Sequence, residues 1–179
     1  MITRKATRTL YLLALCLLTI ISCTKDSTPK DPVDTLPPIT QTGENTFACL
    51  INGKPFFSTY KKRASYTISK GGYTIALSGS RQDDEGIKTV SLVGLDIEDA
   101  VSEMQYKLES ENSGHFYGRY AIYDIGVKSY ATTDENPGLL TITALNLEDG
   151  FISGVFEFIA EDEHGNTLNF THGRFDLKF

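Results

Sequence analysis

The chain has 179 residues, 40% of them hydrophobic and 22% charged, with 17 basic and 23 acidic side chains and a formal net charge of −6. An acidic chain disfavours nucleic acid as a partner, because binding to phosphates needs clustered lysine and arginine side chains.

The first 22 residues have the organisation of an export signal. A basic stretch with Arg4, Lys5 and Arg8 precedes the apolar run from Leu10 to Ile21. These twelve residues would form a helix of about 18 Å, which is shorter than a hydrocarbon core of about 30 Å. Residues 1–22 are therefore predicted to be a signal peptide that is removed, which leaves 14 basic and 23 acidic residues and a net charge of −9.

The end of the apolar run, Ile20-Ile21-Ser22-Cys23, resembles the bacterial lipobox. The resemblance implies cleavage between Ser22 and Cys23 and a diacylglyceryl thioether on the Cys23 sulfur, usually with an added N-acyl chain. Two or three acyl chains hold a protein on a membrane, since each buried methylene contributes about 0.8 kcal/mol. The expectation is an outer-membrane lipoprotein of the bacterial cell envelope, with the periplasmic and surface sides both open. The alternative is a conventional signal peptide with a chance cysteine.

Cys49 is the one thiol left if Cys16 departs with the signal and Cys23 takes lipid. An intrachain disulfide and a cysteine metal cluster are then excluded. Cys49 alternates with Phe47 and Ile51 on one side of a predicted strand. This pattern favours a buried structural thiol over a nucleophile.

Residues 23–44 are predicted to be a lipidated cysteine followed by a disordered stalk. Residues 24–44 contain four of the six prolines and few apolar side chains, so they should be extended and could reach about 65 Å at about 3.1 Å per residue. Thr24-Lys25-Asp26 resembles the surface-export tag of Bacteroidota lipoproteins. Ser27 and Thr35, each after an aspartate, resemble the O-glycosylation acceptors of that phylum.

Residues 45–179 are predicted to form a single all-β domain, an antiparallel β-sandwich or a partly open barrel, because β-branched and aromatic residues alternate between regular turn signals. The first hairpin runs from Thr46 to Tyr60 around Asn52-Gly53. A type I′ turn there pairs Leu50 with Pro55, and Pro55 should lie where no third strand pairs on that side.

Further strands are predicted up to residue 132, with one interruption. Around 97–104 the apolar residues Ile97, Ala100, Val101 and Met104 have helical spacing, which predicts one short helix, with a loop as the alternative. The strands are predicted at 64–69, 72–80, 88–95, 106–109, 115–123 and 127–132.

The last third contains two hairpins with defined registers. Leu140 and Ile142 face Gly154 and Phe156 if the connection is the three-residue loop 148–150, with Gly150 in the left-handed region. In the last strand, Leu168 and Phe170 have one parity, and Phe175, Leu177 and Phe179 have the other. A β-bulge at Gly173 would bring both sets into one core.

The segments TFACLINGKPF and ISGVFEFIAEDEHGNTLNFTHGRFDLKF resemble a family of Bacteroidota lipoproteins of unknown function, whose domain runs from a vnGk start to an iTxGxFD end. The likeness covers about 46–179. It implies a β fold and an envelope location, and it brings no active site.

Side chains that could carry chemistry are scattered along the chain. His115, His164 and His172 lack the short spacings of zinc ligands. His172 adjoins the predicted bulge, which favours a hydrogen-bonded structural histidine over a catalytic one. Acidic clusters near predicted turns could hold calcium only by combining loops, since none has the calcium-loop spacing. The sequence also lacks Gly-x-Ser-x-Gly. No cofactor or metal is therefore assigned.

One strand suggests a ligand surface. His115, Tyr117, Arg119 and Tyr123 share one face of the predicted strand 115–123, and their rings could stack on a glycan or on a peptide of a partner protein. The alternative is a strand covered on both sides.

Three functional hypotheses follow from these patterns. The first is a non-catalytic binding or structural module of the envelope, attached to the membrane by its lipid. The second is a carrier that holds a small hydrophobic ligand inside the β domain, and the third is an envelope hydrolase.

Overall fold

The computed structural model describes residues 31–69 and 71–179. The predictions for the signal peptide, for Ser22 and Cys23 and for glycosylation of Ser27 lie outside the described residues.

The described chain consists of eleven β-strands and one short 3₁₀ turn, Pro32–Thr35. The strands are β1 Thr46–Ile51, β2 Lys54–Phe57, β3 Lys61–Ser69, β4 Gly72–Asp83, β5 Gly86–Ile97, β6 Gln105–Leu108, β7 Phe116–Tyr123, β8 Val127–Ala131, β9 Gly138–Asn146, β10 Phe151–Glu161 and β11 Thr167–Lys178.

All eleven strands belong to one mixed sheet with the order β2-β1-β11-β10-β9-β6-β7-β5-β4-β3, while β8 pairs with both β7 and β10. Neighbours are antiparallel except β6 and β7. Strands from both ends of this order contribute to a single hydrophobic core, so the sheet folds back on itself. The all-β, sandwich-like prediction is confirmed.

The first hairpin has the predicted register. Ile51 pairs with Lys54 and Leu50 with Pro55, and both turn residues, Asn52 and Gly53, have positive φ angles. β2 is the last strand of the sheet on its side. The missing N–H of Pro55 therefore costs no sheet hydrogen bond, as expected for a proline at an edge.

The helix predicted near 97–104 is wrong. Ile97 ends β5 opposite Tyr73, and the residues that follow form an irregular loop up to β6. Val101 is buried in the core, whereas Met104 is half exposed. The helical spacing therefore reflects a loop that inserts one side chain into the core, and the hydroxyl of Tyr106 fastens this loop by bonding the N–H and C=O of Ser102.

The three-residue connection between β9 and β10 is also wrong. Asn146 pairs with Phe151, so the connection has four residues, 147–150. The pairing of β9 with β10 also shifts register between Ile142 and Ala144. The shift keeps Leu140 and Ile142 in the core and turns Leu145 inward in place of Ala144. Gly150 does have the predicted left-handed backbone, with φ of 71°.

The last strand has the predicted bulge, but at His172 and not at Gly173, which is itself paired. Phe156 pairs with Gly173 and Phe158 with Phe170, so β11 has one extra residue there, and His172 takes a φ of 53°. The side chain of His172 is exposed, so the expectation of a hydrogen-bonded structural histidine is wrong. The backbone of His172, not its imidazole, makes the bulge.

Aromatic rings fill the interior by packing over glycines of other strands, both paired and unpaired with their own. A Cβ atom on Gly79 would lie 2.5 Å from the Phe47 ring, and one on Gly173 would lie 2.5 Å from the Phe156 ring. The same arrangement places Phe116 over Gly94, Phe158 over Gly118 and Phe175 over Gly154. Since there is no space beside these rings for a methyl group, the glycines fix where each ring lies.

Replacement of Gly79 by alanine is expected to lower the free energy of unfolding by about 1–3 kcal/mol, because the added methyl group overpacks the Phe47 ring. Gly126→Ala is the matched control, since nothing lies within 4 Å of a Cβ there, and its effect should stay within about 0.5 kcal/mol. Urea unfolding measures both variants. Equal stability of the two would contradict this packing.

Candidate functional site

Two residues of the predicted ligand strand have partners of their own. The Nδ1 atom of His115 lies 3.1 Å from Oε2 of Glu109. Tyr117 is buried, and its pKa is raised by burial first and then by the nearby carboxylate of Glu111. Tyr117 is therefore covered and offers no open ring surface.

The other two residues lie further along β7. Nε of Arg119 donates to Oγ of Ser129 on β8 at 2.9 Å. Tyr123 lies at the exposed tip of the β7–β8 hairpin, together with Val127 and the fully exposed Ile125. The four predicted residues thus share a strand face without forming one open surface, and a ligand for them stays a prediction.

Residues 31–44 pack on the domain, which corrects the predicted extended stalk for this part of the chain. We call this segment the strap. Leu36 is 7% exposed and packs on Ala48 and Leu50 of β1. Its 3₁₀ turn is capped by Asp31, whose carboxylate accepts from the N–H of Val33. The prolines thus favour a bent segment that covers an apolar patch.

Thr35, the other proposed glycosylation acceptor, lies in this turn. Its side chain is exposed, and its hydroxyl donates to the carbonyl of Pro32 at 2.6 Å. Glycosylation of Thr35 stays a prediction.

The carboxylate of Asp176 on β11 holds the end of the strap. Its oxygens accept hydrogen bonds from the hydroxyl of Thr40 at 2.7 Å and from the hydroxyl of Ser153 on β10 at 2.6 Å. They also accept from the backbone N–H groups of Thr42, Gly43 and Glu44 at 3.1, 2.8 and 3.0 Å. Asp176 is 1% exposed, so these five donors replace water around a buried charge.

The charge of Asp176 is stabilised by these donors. Burial alone would raise the pKa of Asp176, but the hydrogen bonds from Glu44, Ser153, Thr40 and Thr42 outweigh burial and lower the pKa to about 2. A carboxylate that accepts several hydrogen bonds favours its ionised form in this way. The ionised Asp176 therefore stabilises the docked strap.

The strap also forms one wall of a groove on the outer face of β9, β10 and β11. The groove has a volume of about 390 Å³, and Ile39, Leu139 and Val155 supply its apolar surface. Arg174 borders it, and its Nη1 donates to the carbonyl of Pro37 at 3.0 Å. A second groove of about 350 Å³ shares Leu139 with the first, so the two are contiguous.

The interior and the single described thiol have structural roles. Phe158 and Phe170 stack with centroids 4.3 Å apart in the core, and the core cluster is filled with further rings and leucines. This filling argues against the carrier hypothesis.

Cys49 is fully buried, which confirms the predicted buried thiol. Burial raises the pKa of Cys49 to about 12, which excludes a reactive thiolate at neutral pH.

Within 31–69 and 71–179, no group of three or more His, Cys, Asp or Glu side chains is arranged to hold a metal ion. The same residues include no helix that is long and apolar enough to span a membrane.

Comparison with known protein families identifies one family for this chain. The model of a domain of unknown function, DUF6252, matches residues 44–176. The chain belongs to the DUF6252 family. The first and last residues of the matched DUF6252 region, Glu44 and Asp176, are themselves joined by one of the hydrogen bonds of the strap. No curated protein and no solved structure shows significant similarity to the chain.

Sequence reasoning missed Asp176 and the docking of residues 31–44 onto this DUF6252 domain. A signal was present, because Asp176 is the final residue of the segment FTHGRFD, an aspartate among apolar positions at the end of a predicted core strand. A carboxylate at such a position requires several donors. The low apolar content of the strap concealed that it supplies four of them.

Asp176→Asn is expected to lower the free energy of unfolding by about 2–3 kcal/mol at pH 7, because the amide replaces a charged acceptor and brings N–H donors toward other donors. The folded pKa of about 2 lies below the ordinary value of 3.8, so the carboxylate stabilises the fold above pH 4. This contribution is lost as the pH falls toward 2.

The measurement is chemical unfolding of both proteins between pH 7 and pH 2. The difference between them should narrow below pH 4. Asp34→Asn, on the exposed side of the strap, is the matched control and should behave as the original chain at every pH. A difference for Asp176→Asn that is absent at pH 7, or constant down to pH 2, would contradict the account.

Proposed function

We propose that the protein is a lipid-anchored lipoprotein of the bacterial cell envelope, whose DUF6252 domain is a non-catalytic binding or structural module. The observation that carries the proposal is the order of the first 23 residues. A basic stretch, a short apolar run, a small residue and Cys23 follow one another there, as in lipoproteins that are cleaved before a cysteine. The proposal includes residence in the outer membrane, facing either the periplasm or the surface.

The docked strap supports an anchor that keeps the domain near the membrane. Residues 31–44 pack on the domain, so only residues 24–30 separate Cys23 from the described chain. The steps from Cys23 to Asp31 cannot span more than about 29 Å even when fully extended. This limit is less than half of the 65 Å reach expected of a free stalk, and it favours partners that lie close to the membrane.

The surface of the domain supports binding over catalysis. The groove beside the strap has a largely apolar surface with a few polar side chains at its border, as binding sites for small molecules commonly do. The β7 side chains that were predicted to contact a ligand are less open, because Tyr117 is buried and Arg119 donates to Ser129.

Cys23→Ala is expected to abolish incorporation of a palmitate analogue into the full-length protein in a bacterial host, since the thioether and the new N-terminus both require this cysteine. Cys49→Ala is the matched control, because its thiol is buried in the core, and it should incorporate the label. Labelling is read after gel separation, with mass spectrometry of the N-terminal peptide. Undiminished labelling of Cys23→Ala would refute the lipid anchor.

A further inference from the structure

Arg174 is a partly buried cation whose bonded partners are neutral. Its Nη1 donates to the carbonyl of Pro37 at 3.0 Å and its Nε to the carbonyl of His172 at 3.2 Å. None of the ion pairs among the described residues includes Arg174. Burial lowers the pKa of its guanidinium. A charge in this position is stabilised further by an anion, because a guanidinium binds a carboxylate through two parallel hydrogen bonds.

The groove beside Arg174 is suited to an aliphatic chain. Ile39 of the strap, Leu139 of β9 and Val155 of β10 line it, and Val155 pairs directly with Arg174 across the two strands. An apolar surface and a single cation therefore lie next to each other. The adjoining groove of about 350 Å³ continues in the direction of Ile159, so there is room for a chain longer than a few carbon atoms.

The sheet also restricts what can lie in the groove. β10 is paired with β9 on one side and β11 on the other, so the backbone groups of β10 are already used in the sheet. An extended peptide would find no backbone partners on this floor and would leave its own amide groups unpaired against apolar side chains, which is costly. An unbranched hydrocarbon chain has no such groups.

We propose that this groove binds a free aliphatic carboxylate of medium chain length, with its carboxylate on the Arg174 guanidinium and its chain over Leu139 and Val155. The proposal rests on the proposed function only in treating the domain as a binding module, and it does not depend on lipid at Cys23. Glu157 and His172 also border the groove. Glu157, two residues beyond Val155 on β10, borders both grooves, and its negative charge repels a carboxylate there.

The test uses the full-length chain, labelled with ¹⁵N-arginine and dissolved in a nonionic detergent. Octanoate is titrated into this sample, and the arginine resonances are followed by NMR. The Nε–H resonance of Arg174 is assigned by its loss in Arg174→Lys. It should move saturably with octanoate and stay in place with octanol, which has the chain without the charge. This readout reports on one side chain, so uptake of octanoate by the detergent does not imitate it.

Two charge-matched variants separate the groove from general electrostatics. Val155→Glu places a carboxylate opposite Arg174 and should weaken octanoate binding roughly tenfold or more, because it occupies the guanidinium. Ile125→Glu adds the same charge at the fully exposed tip of the β7–β8 hairpin, outside both grooves, and should keep binding within about threefold. Thermal unfolding verifies that both variants are folded.

An Arg174 resonance that octanoate does not move, or that moves equally in Val155→Glu and in the original chain, would overturn the proposed ligand. If the Arg174 resonance moves with octanoate in a protein that incorporates no palmitate analogue at Cys23, the groove proposal is upheld and only the lipid anchor is refuted.

Discussion

A buried carboxylate must be surrounded by donors or it destabilises the fold, and this constraint on Asp176 organises the start of the chain. Four of its five hydrogen bonds come from Thr40 to Glu44, and the fifth comes from Ser153. Docking of this segment brings Leu36 onto Ala48 and Leu50. It also brings Ile39 to the outer groove. The cover of β1 and the wall of the groove therefore both follow from one ionised side chain.

The interior obeys a different constraint, which is the space that large rings need within one folded sheet. Phe47 and Phe156 lie over glycines of other strands, and the bulge at His172 turns both halves of β11 toward the same core. The bulge also brings Arg174 to the outer face beside Val155. Packing inside the sheet thus determines which polar groups appear on the groove outside it.

Local sequence signals predicted the parts of this fold in which a turn or a parity fixes the register. Asn52-Gly53 fixed the first hairpin, and the change of parity between Phe170 and Phe175 located the bulge. The short helix predicted near 97–104 was wrong because the single buried residue of this loop, Val101, imitates helical spacing of apolar side chains. The strap was not predictable from composition, since its docking depends on contacts with Asp176, more than 130 positions away. The groove was missed for the same reason, because Ile39 and Arg174 meet only after docking.

The strap connects the proposed anchor to the proposed binding surface, since the segment that leads toward Cys23 also forms a wall of the groove. The central claim is that Asp176 holds this segment in place. Amide hydrogen exchange at Thr42, Gly43 and Glu44 tests it most directly, in the original chain and in Asp176→Asn. The account predicts that these three amides are protected in the original chain and lose protection together in the variant, while amides of β10 keep theirs. Unchanged protection of the three amides in Asp176→Asn would contradict it.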